Sequence, residues 1–251
     1  MSTRRKTTAG CLLTDKRPWE QTAILGLVPF AHPARSQCQT PEAMPPACKA
    51  SAEGSMISAI VLAAGESRRM GEPKLLLPWG ETTVLGQVVA SCAAAGLEEI
   101  LIITGGYREQ VESLVRGLAS TFPVRSVYNP DFSAGEMLSS LQVGLEALGR
   151  EVQAAMIVLG DQPQIRPETI RNLSKSFETS PTPLIIPSHA HRRGHPWLAA
   201  RSLWPELLGL PPGATARAFL EEKAGSIRYI PADRTILLDL DTPRDYLQQH
   251  P

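Results

Sequence analysis

From residue 57 onward the chain alternates short, β-branched apolar runs with longer amphipathic stretches, and that alternation leaves few architectures open. A short apolar run with no polar face reads as a strand buried on both sides, and such strands belong to parallel sheets covered by helices on both faces. Strands are expected at 57–63, 100–104, 124–128, 155–159, 184–187, 197–199 and 227–230. Helices are expected at 83–95, 108–118, 138–148, 167–177, 203–208, 214–222 and 243–249. At 251 residues and 43% hydrophobic content the chain can bury a full core, and its length fits one α/β domain with an appendage. In an open parallel sheet, ligands collect outside the carboxyl ends of the strands, so the polar residues just after the apolar runs carry the functional argument.

Three motifs fall there. The first follows the run at 57–63: Gly65 and Gly71 bound a loop that holds Arg68, Arg69 and Lys74. Glycines let backbone N–H groups approach an anion, and the cations supply charge around it, so the loop reads as a phosphate cradle. It is neither G-x-x-x-x-G-K-[ST] nor G-x-G-x-x-G, which excludes a P-loop and a dinucleotide fingerprint. The second motif is Gly160-Asp161-Gln162-Pro163, directly after AAMIVL. A carboxylate opposite a cationic phosphate loop is placed to hold magnesium, a hard cation that bridges to substrate phosphates. The competing role, capping the helix near Pro167, belongs more naturally to Arg166, one residue before it. The third is Leu238-Asp239-Leu240-Asp241-Thr242-Pro243, read as a strand end that turns both aspartates to one face before a proline-initiated helix. Asp241 completing the metal shell and Asp241 with Thr242 merely capping that helix are both open on this pattern.

The string from Leu62 to Lys74, L-A-A-G-x-S-x-R-M-G-x-P-K, resembles the nucleotide-binding signature of the MobA-like nucleotidyltransferases, most closely the molybdenum cofactor cytidylyltransferases. The resemblance extends in patches from Ile57 to about Tyr246 and includes the G-D-x-P and D-x-D-T-P-x-D patterns. It implies a three-layer α/β/α Rossmann-like nucleotidyltransferase fold with a mostly parallel sheet. It also implies Mg2+-dependent transfer of CMP from CTP to molybdopterin with release of pyrophosphate. Carried over by position, the nucleotide contacts are Leu62, Ala63, Ala64, Gly65, Ser67, Arg69, Met70, Gly71, Lys74 and Ser139. Arg69, Lys74 and Asp161 are the catalytic set, and Asp161 and Asp241 are the metal ligands with Asp239 in support. Ser139 lies in a segment, Asn129 to Leu145, that resembles the family's loop-to-helix stretch with Glu136 inserted after Gly135. Arg193, Gly194 and His195 resemble its G-H-P region and are expected to line the acceptor pocket. Of the family's G-D-x-G-A-R pattern, this chain keeps a glycine, an alanine and Arg217.

Other classes stay open on the sequence: a guanylyltransferase, a sugar- or alcohol-phosphate nucleotidyltransferase, or a non-catalytic cofactor-escort module for a molybdenum hydroxylase. The formal net charge of zero gives no basic surplus for nucleic acid or an anionic membrane. The apolar stretch from Ala23 to Ala31 is interrupted by Pro29 and falls short of the roughly 20 residues of a membrane span. Cys11, Cys38, Cys48 and Cys92 form no C-x-x-C pair, so a reducing, cytoplasmic location is expected. Residues 1–55, with six prolines and no sustained period, are expected to be a disordered extension preceding a domain at 56–251. Asp15, Arg17 and Glu20 separate the basic start at Arg4, Arg5 and Lys6 from the apolar stretch, against a secretory signal. Met56 directly before the first strand makes a natural start there an equal account of the extension.

Overall fold

The computed structural model describes residues 56–134 and 136–251. The extension expected over 1–55, and the expectations for Gly135, lie outside these residues. In chain order the strands are β1 (Ile57–Ala63), β2 (Pro78–Trp79), β3 (Thr82–Thr83), β4 (Ile100–Thr104), β5 (Val124–Tyr128), β6 (Ala154–Leu159), β7 (Leu184–His189), β8 (Arg192–Arg193), β9 (Trp197–Ala200) and β10 (Ile227–Pro231). The helices are α1 (Val84–Ala94), α2 (Arg108–Leu118), α3 (Glu136–Ala147), α4 (Pro167–Thr179), α5 (Trp204–Leu208), α6 (Ala216–Glu222) and α7 (Pro243–Gln249).

An eight-stranded sheet runs β10-β7-β9-β6-β1-β4-β5, with β8 paired to β7 off that path. β1 is parallel to β4 and β6, β4 to β5, and β7 to β10. β9 is antiparallel to both β6 and β7, because it follows the β7–β8 hairpin with too little chain for a crossover. The chain leaves β1 for β4 and β5 on one side and returns to β6 on the other. That reversal opens a crevice at the carboxyl ends of β1 and β6.

Strand alternation divides the core between the two faces of the sheet. Ala59, Val61, Ile100 and Ile102 point to one side, where they pack with residues of α1, α2 and α4. Ile60, Leu101 and Ile103 point to the other, against α3, α5 and α6. Each such fully buried aliphatic side chain contributes about 1.5–3 kcal/mol, which is why the apolar runs become central strands with helices on both faces. Thr215 and Thr242 cap α6 and α7, so α6 starts two residues later than the sequence pattern suggests.

The largest departure is at 238–241. The alternating Leu-Asp-Leu-Asp pattern predicts a strand, but a 3-10 turn over Arg234–Leu237 precedes it and the segment joins no sheet. Leu240 is fully buried, and its N–H donates to the carbonyl of Asp161 at 3.2 Å. The alternation thus records one anchored leucine flanked by two aspartates, not a pleated face.

Candidate active site

The loop after β1 is closed by its own backbone. Ser67 adopts a left-handed φ of 49°, and its carbonyl accepts from the N–H groups of Met70 and Gly71 at 2.9 and 3.1 Å. Its hydroxyl accepts from the N–H of Lys74 at 3.2 Å. Met70 is buried in the core beneath, so it anchors the loop rather than facing the crevice. Among the described residues, the N–H groups of Gly65 to Arg69 have no hydrogen-bond partner within the protein, the condition of a backbone anion nest. Arg68 pairs with Glu66 at 2.5 Å with 79% of its side chain exposed, which turns it to solvent.

Gly65 and Gly71 differ in why they are glycine. Gly71 has φ +73°, strained for any other residue, whereas a methyl on Gly65 meets nothing within 4 Å. The fold therefore does not itself require glycine at 65, and the space beside it is open. Gly65→Ala is expected to keep the thermal midpoint, or raise it slightly through the unfolded chain's lost entropy, while weakening binding of inorganic triphosphate at least about tenfold. Gly71→Ala is expected to lose about 1 kcal/mol of stability. Thermal melts and triphosphate titrations of both variants check the pair, and equal melting losses would remove the distinction.

Lys74 is the centre of the polar geometry. Its Nζ lies 2.5 Å from Asp161 Oδ2 and 3.5 Å from Asp241 Oδ1, with the lysine and Asp161 side chains only 15% and 19% exposed. Arg69 reaches the other oxygen of Asp241 at 2.9 Å. Gln162 donates to Asp239 at 2.6 Å, so the 239–241 segment is stitched to the Gly160–Pro163 turn by this bond and by Leu240 N–H to Asp161. Asp239 is held above the usual carboxylate range by desolvation of its carboxyl, with the charges of Asp161 and Asp241 adding and the Gln162 bond opposing. Asp161 caps no helix: Arg166 is the N-cap of α4. Thr242, not Asp241, caps α7, in a reciprocal box with Asp245.

These carboxylates suit a magnesium-type ion. Two of them, from separate segments, already share one cation, and no cluster of three or more metal-ligating side chains occurs among the described residues. Such a site draws its remaining oxygens from water and substrate phosphates, the habit of magnesium rather than of an all-protein cage.

A cavity of about 330 Å³ adjoins these groups, lined by Leu62, Ala63, Ala64, Gly65, Lys74, Leu75, Phe132, Met137, Ser140, Leu159 and Asp161. Five residues from the sequence-derived nucleotide set, Leu62 to Gly65 and Lys74, are thus on its wall. Of the serine pair on α3, Ser140 lines the cavity, and Asn129 donates to the hydroxyls of both, at 2.9 Å for Ser139 and 3.0 Å for Ser140. Phe132 and Met137 were not among the expected nucleotide contacts, although both lie in the Asn129 to Leu145 segment that resembles the family's loop-to-helix stretch. Gly105, after β4, was also missed. A side chain there would lie 2.6 Å from Phe132 and 2.7 Å from the Ala64 methyl, so its glycine lets these walls meet.

Gly194 and His195 are placed elsewhere than expected. A side chain on Gly194 would strike the Ile236 carbonyl, and the N–H of His195 donates to that same oxygen at 3.2 Å. The His195 residue is partly exposed, yet its Nε2 is buried without a hydrogen-bond partner, and burial pushes the imidazole down to about 4. The two residues clasp the turn that leads into 239–241. Arg193 lines a cavity between β8 and α6.

The sequence profile of the MobA-like NTP transferase domain matches residues 59–227. The chain is 29% identical over 194 residues to the molybdenum cofactor cytidylyltransferase of Escherichia coli K12, covering 77% of this chain and 95% of that one. It is also 29% identical over 199 residues to the nicotine blue oxidoreductase of Paenarthrobacter nicotinovorans, covering 74% and 92%. The crystal structure of Rv0371c from Mycobacterium tuberculosis H37Rv superposes with a TM-score of 0.68 at 28% identity, over 79% of this chain and 99% of that one. A manganese complex of Rv0371c superposes at 0.65 with 27% identity, over 78% and 98%. No helix among the described residues is long and apolar enough to cross a membrane.

Proposed function

Because the chain belongs to the MobA-like NTP transferase family, and so among nucleotidyltransferases, we propose that it transfers CMP from CTP to the phosphate of molybdopterin and releases pyrophosphate. The observation that carries this is the ammonium of Lys74 held between Asp161 and Asp241 at the cavity after β1. A phosphate oxygen of the acceptor attacks the α-phosphorus in line, and the bond to the bridging β-phosphate oxygen breaks. There is little covalent work for the protein, so positioning and charge carry the rate. The unpartnered N–H groups from Gly65 to Arg69 bind the triphosphate, and Lys74 with Arg69 neutralises charge gathering on the departing pyrophosphate. Asp161 and Asp241 would hold Mg2+, which would supply positive charge against the charge that develops on the phosphates. Mass spectrometry of products from each nucleoside triphosphate with molybdopterin tests the assignment; pyrophosphate release with a sugar phosphate but not molybdopterin would replace it with another acceptor class.

CTP is chosen over GTP at the cavity wall. Ala64 is buried, and its methyl faces the Gly105 position beneath Phe132, where it narrows the space for a base. One methyl in such a wall is worth about 1–3 kcal/mol of discrimination. Ala64→Gly is therefore expected to raise GTP affinity relative to CTP by about tenfold or more, measured by competitive titration. An unchanged ratio would move the selection elsewhere.

A further inference from the structure

Asp161 and Asp241 sit on separate segments, and the segment that carries Asp241 runs on directly into α7. Among the described residues none in α7 is buried, so the helix is seated by polar and ring contacts instead of by a core face. Gln249 donates to the carbonyl of Asp239 at 3.4 Å and accepts from Gln164. Those bonds tie α7 to its own approach and to the turn after Asp161. Tyr246 reaches further. Its Oη donates to the carbonyl of Pro78 at 2.6 Å, and its ring lies against Trp79 and His250 at centroid distances of 6.2 and 5.1 Å. Trp79 is itself part of the core, and Pro78 follows the 3-10 turn at Lys74–Leu76 after a single residue. Tyr246 thus joins the segment of Asp241 to the segment of Lys74.

In the nucleotide-free protein the Asp241 carboxylate is held by Lys74 and Arg69. A metal ion between the two aspartates takes the place of the ammonium, and in the nucleotidyl-transfer reading both cations then serve the triphosphate. Neither can go on fixing Asp241. The tethers that remain are Leu240, buried and bonded to the Asp161 carbonyl on one side, and Tyr246 one helical turn beyond on the other. A metal ligand on a loose segment has to be ordered at the moment of binding, which costs conformational entropy, and a tether made beforehand removes that cost. We propose that Tyr246 is a positioning residue for the metal site, its bond to Pro78 keeping Asp241 within reach of the cation that Asp161 binds. The inference rests on the reading of Asp161 and Asp241 as metal ligands.

The test is a manganese titration of the full chain without nucleotide, read by electron paramagnetic resonance, beside thermal melts. Tyr246→Phe keeps the ring and removes only the hydroxyl. It is expected to weaken manganese binding about fivefold, the scale of one hydrogen bond, while the melting midpoint moves by no more than about 3 °C. The same exchange made in Asp241→Asn should cause no further loss, because a tether that acts through Asp241 then has no ligand left to position. Unchanged manganese affinity in Tyr246→Phe overturns the inference. So does an equal loss in both backgrounds, which is what a general loosening of the fold would give. If the unaltered chain binds no manganese, or Asp241→Asn binds it equally well, the metal reading of the aspartates falls instead.

Discussion

Asp161→Asn is expected to lower turnover at least about a hundredfold while leaving the fold intact. The exchange preserves shape and removes one charge, at a site where stabilisation of developing charge is usually the largest catalytic contribution. What Asp161 does for the fold runs through its backbone, whose carbonyl accepts from Leu240 and survives the substitution. Lys74 keeps Asp241 as a partner at 3.5 Å, so no cation is stranded, and the stability loss should stay near 1 kcal/mol. Steady-state rates at saturating magnesium, beside thermal melts, separate the two effects. A near-normal rate would make Asp161 a structural residue that only holds Lys74.

The sequence was most legible where one physical demand acted alone. β1, β4 and β5 begin and end where the sequence pattern puts them; in β1 and β4, buried nearly throughout, the demand for apolar side chains acts almost alone, whereas β5 is an edge strand with Arg125 exposed. In the loop from Gly65 to Lys74 the close spacing of glycines and cations was legible, and the structure places Gly65 and Lys74 on one cavity wall. Legibility failed where a residue's type served contacts distant in sequence. Phe132 and Met137 line the cavity beside Lys74 as ordinary apolar side chains, in a segment read for its serines rather than for them. The pair Gly105-Gly106 at the end of β4 was an available signal, since two glycines at a strand's carboxyl end mark close packing. His195 failed in the other direction. A glycine-histidine-proline string reads as ligand chemistry, yet the glycine is needed for the Ile236 carbonyl, and the histidine is held neutral by burial at ordinary pH.

Lys74→Met is expected to change two measurements in opposite directions. In the nucleotide-free protein the ammonium stands between the carboxylates of Asp161 and Asp241, the place a divalent ion needs. Metal entry therefore competes with an ion pair that is largely shielded from solvent and so little screened. Replacing the ammonium with an apolar side chain of similar length removes the competitor. It leaves Asp161 without its cation, while Asp241 keeps only Arg69. Manganese affinity without nucleotide should rise at least about tenfold, since an opposite charge nearby is the strongest remaining means of neutralising the pair. Turnover should fall at least about a hundredfold, because the triphosphate loses the cation that neutralises its departing end. Manganese titration by electron paramagnetic resonance and steady-state kinetics read the two arms separately. Misfolding would depress both, so the rise in metal affinity is the diagnostic arm. Unchanged or weaker manganese binding would mean that Lys74 does not occupy the metal's place, and that in the wild-type chain metal and nucleotide need not arrive together.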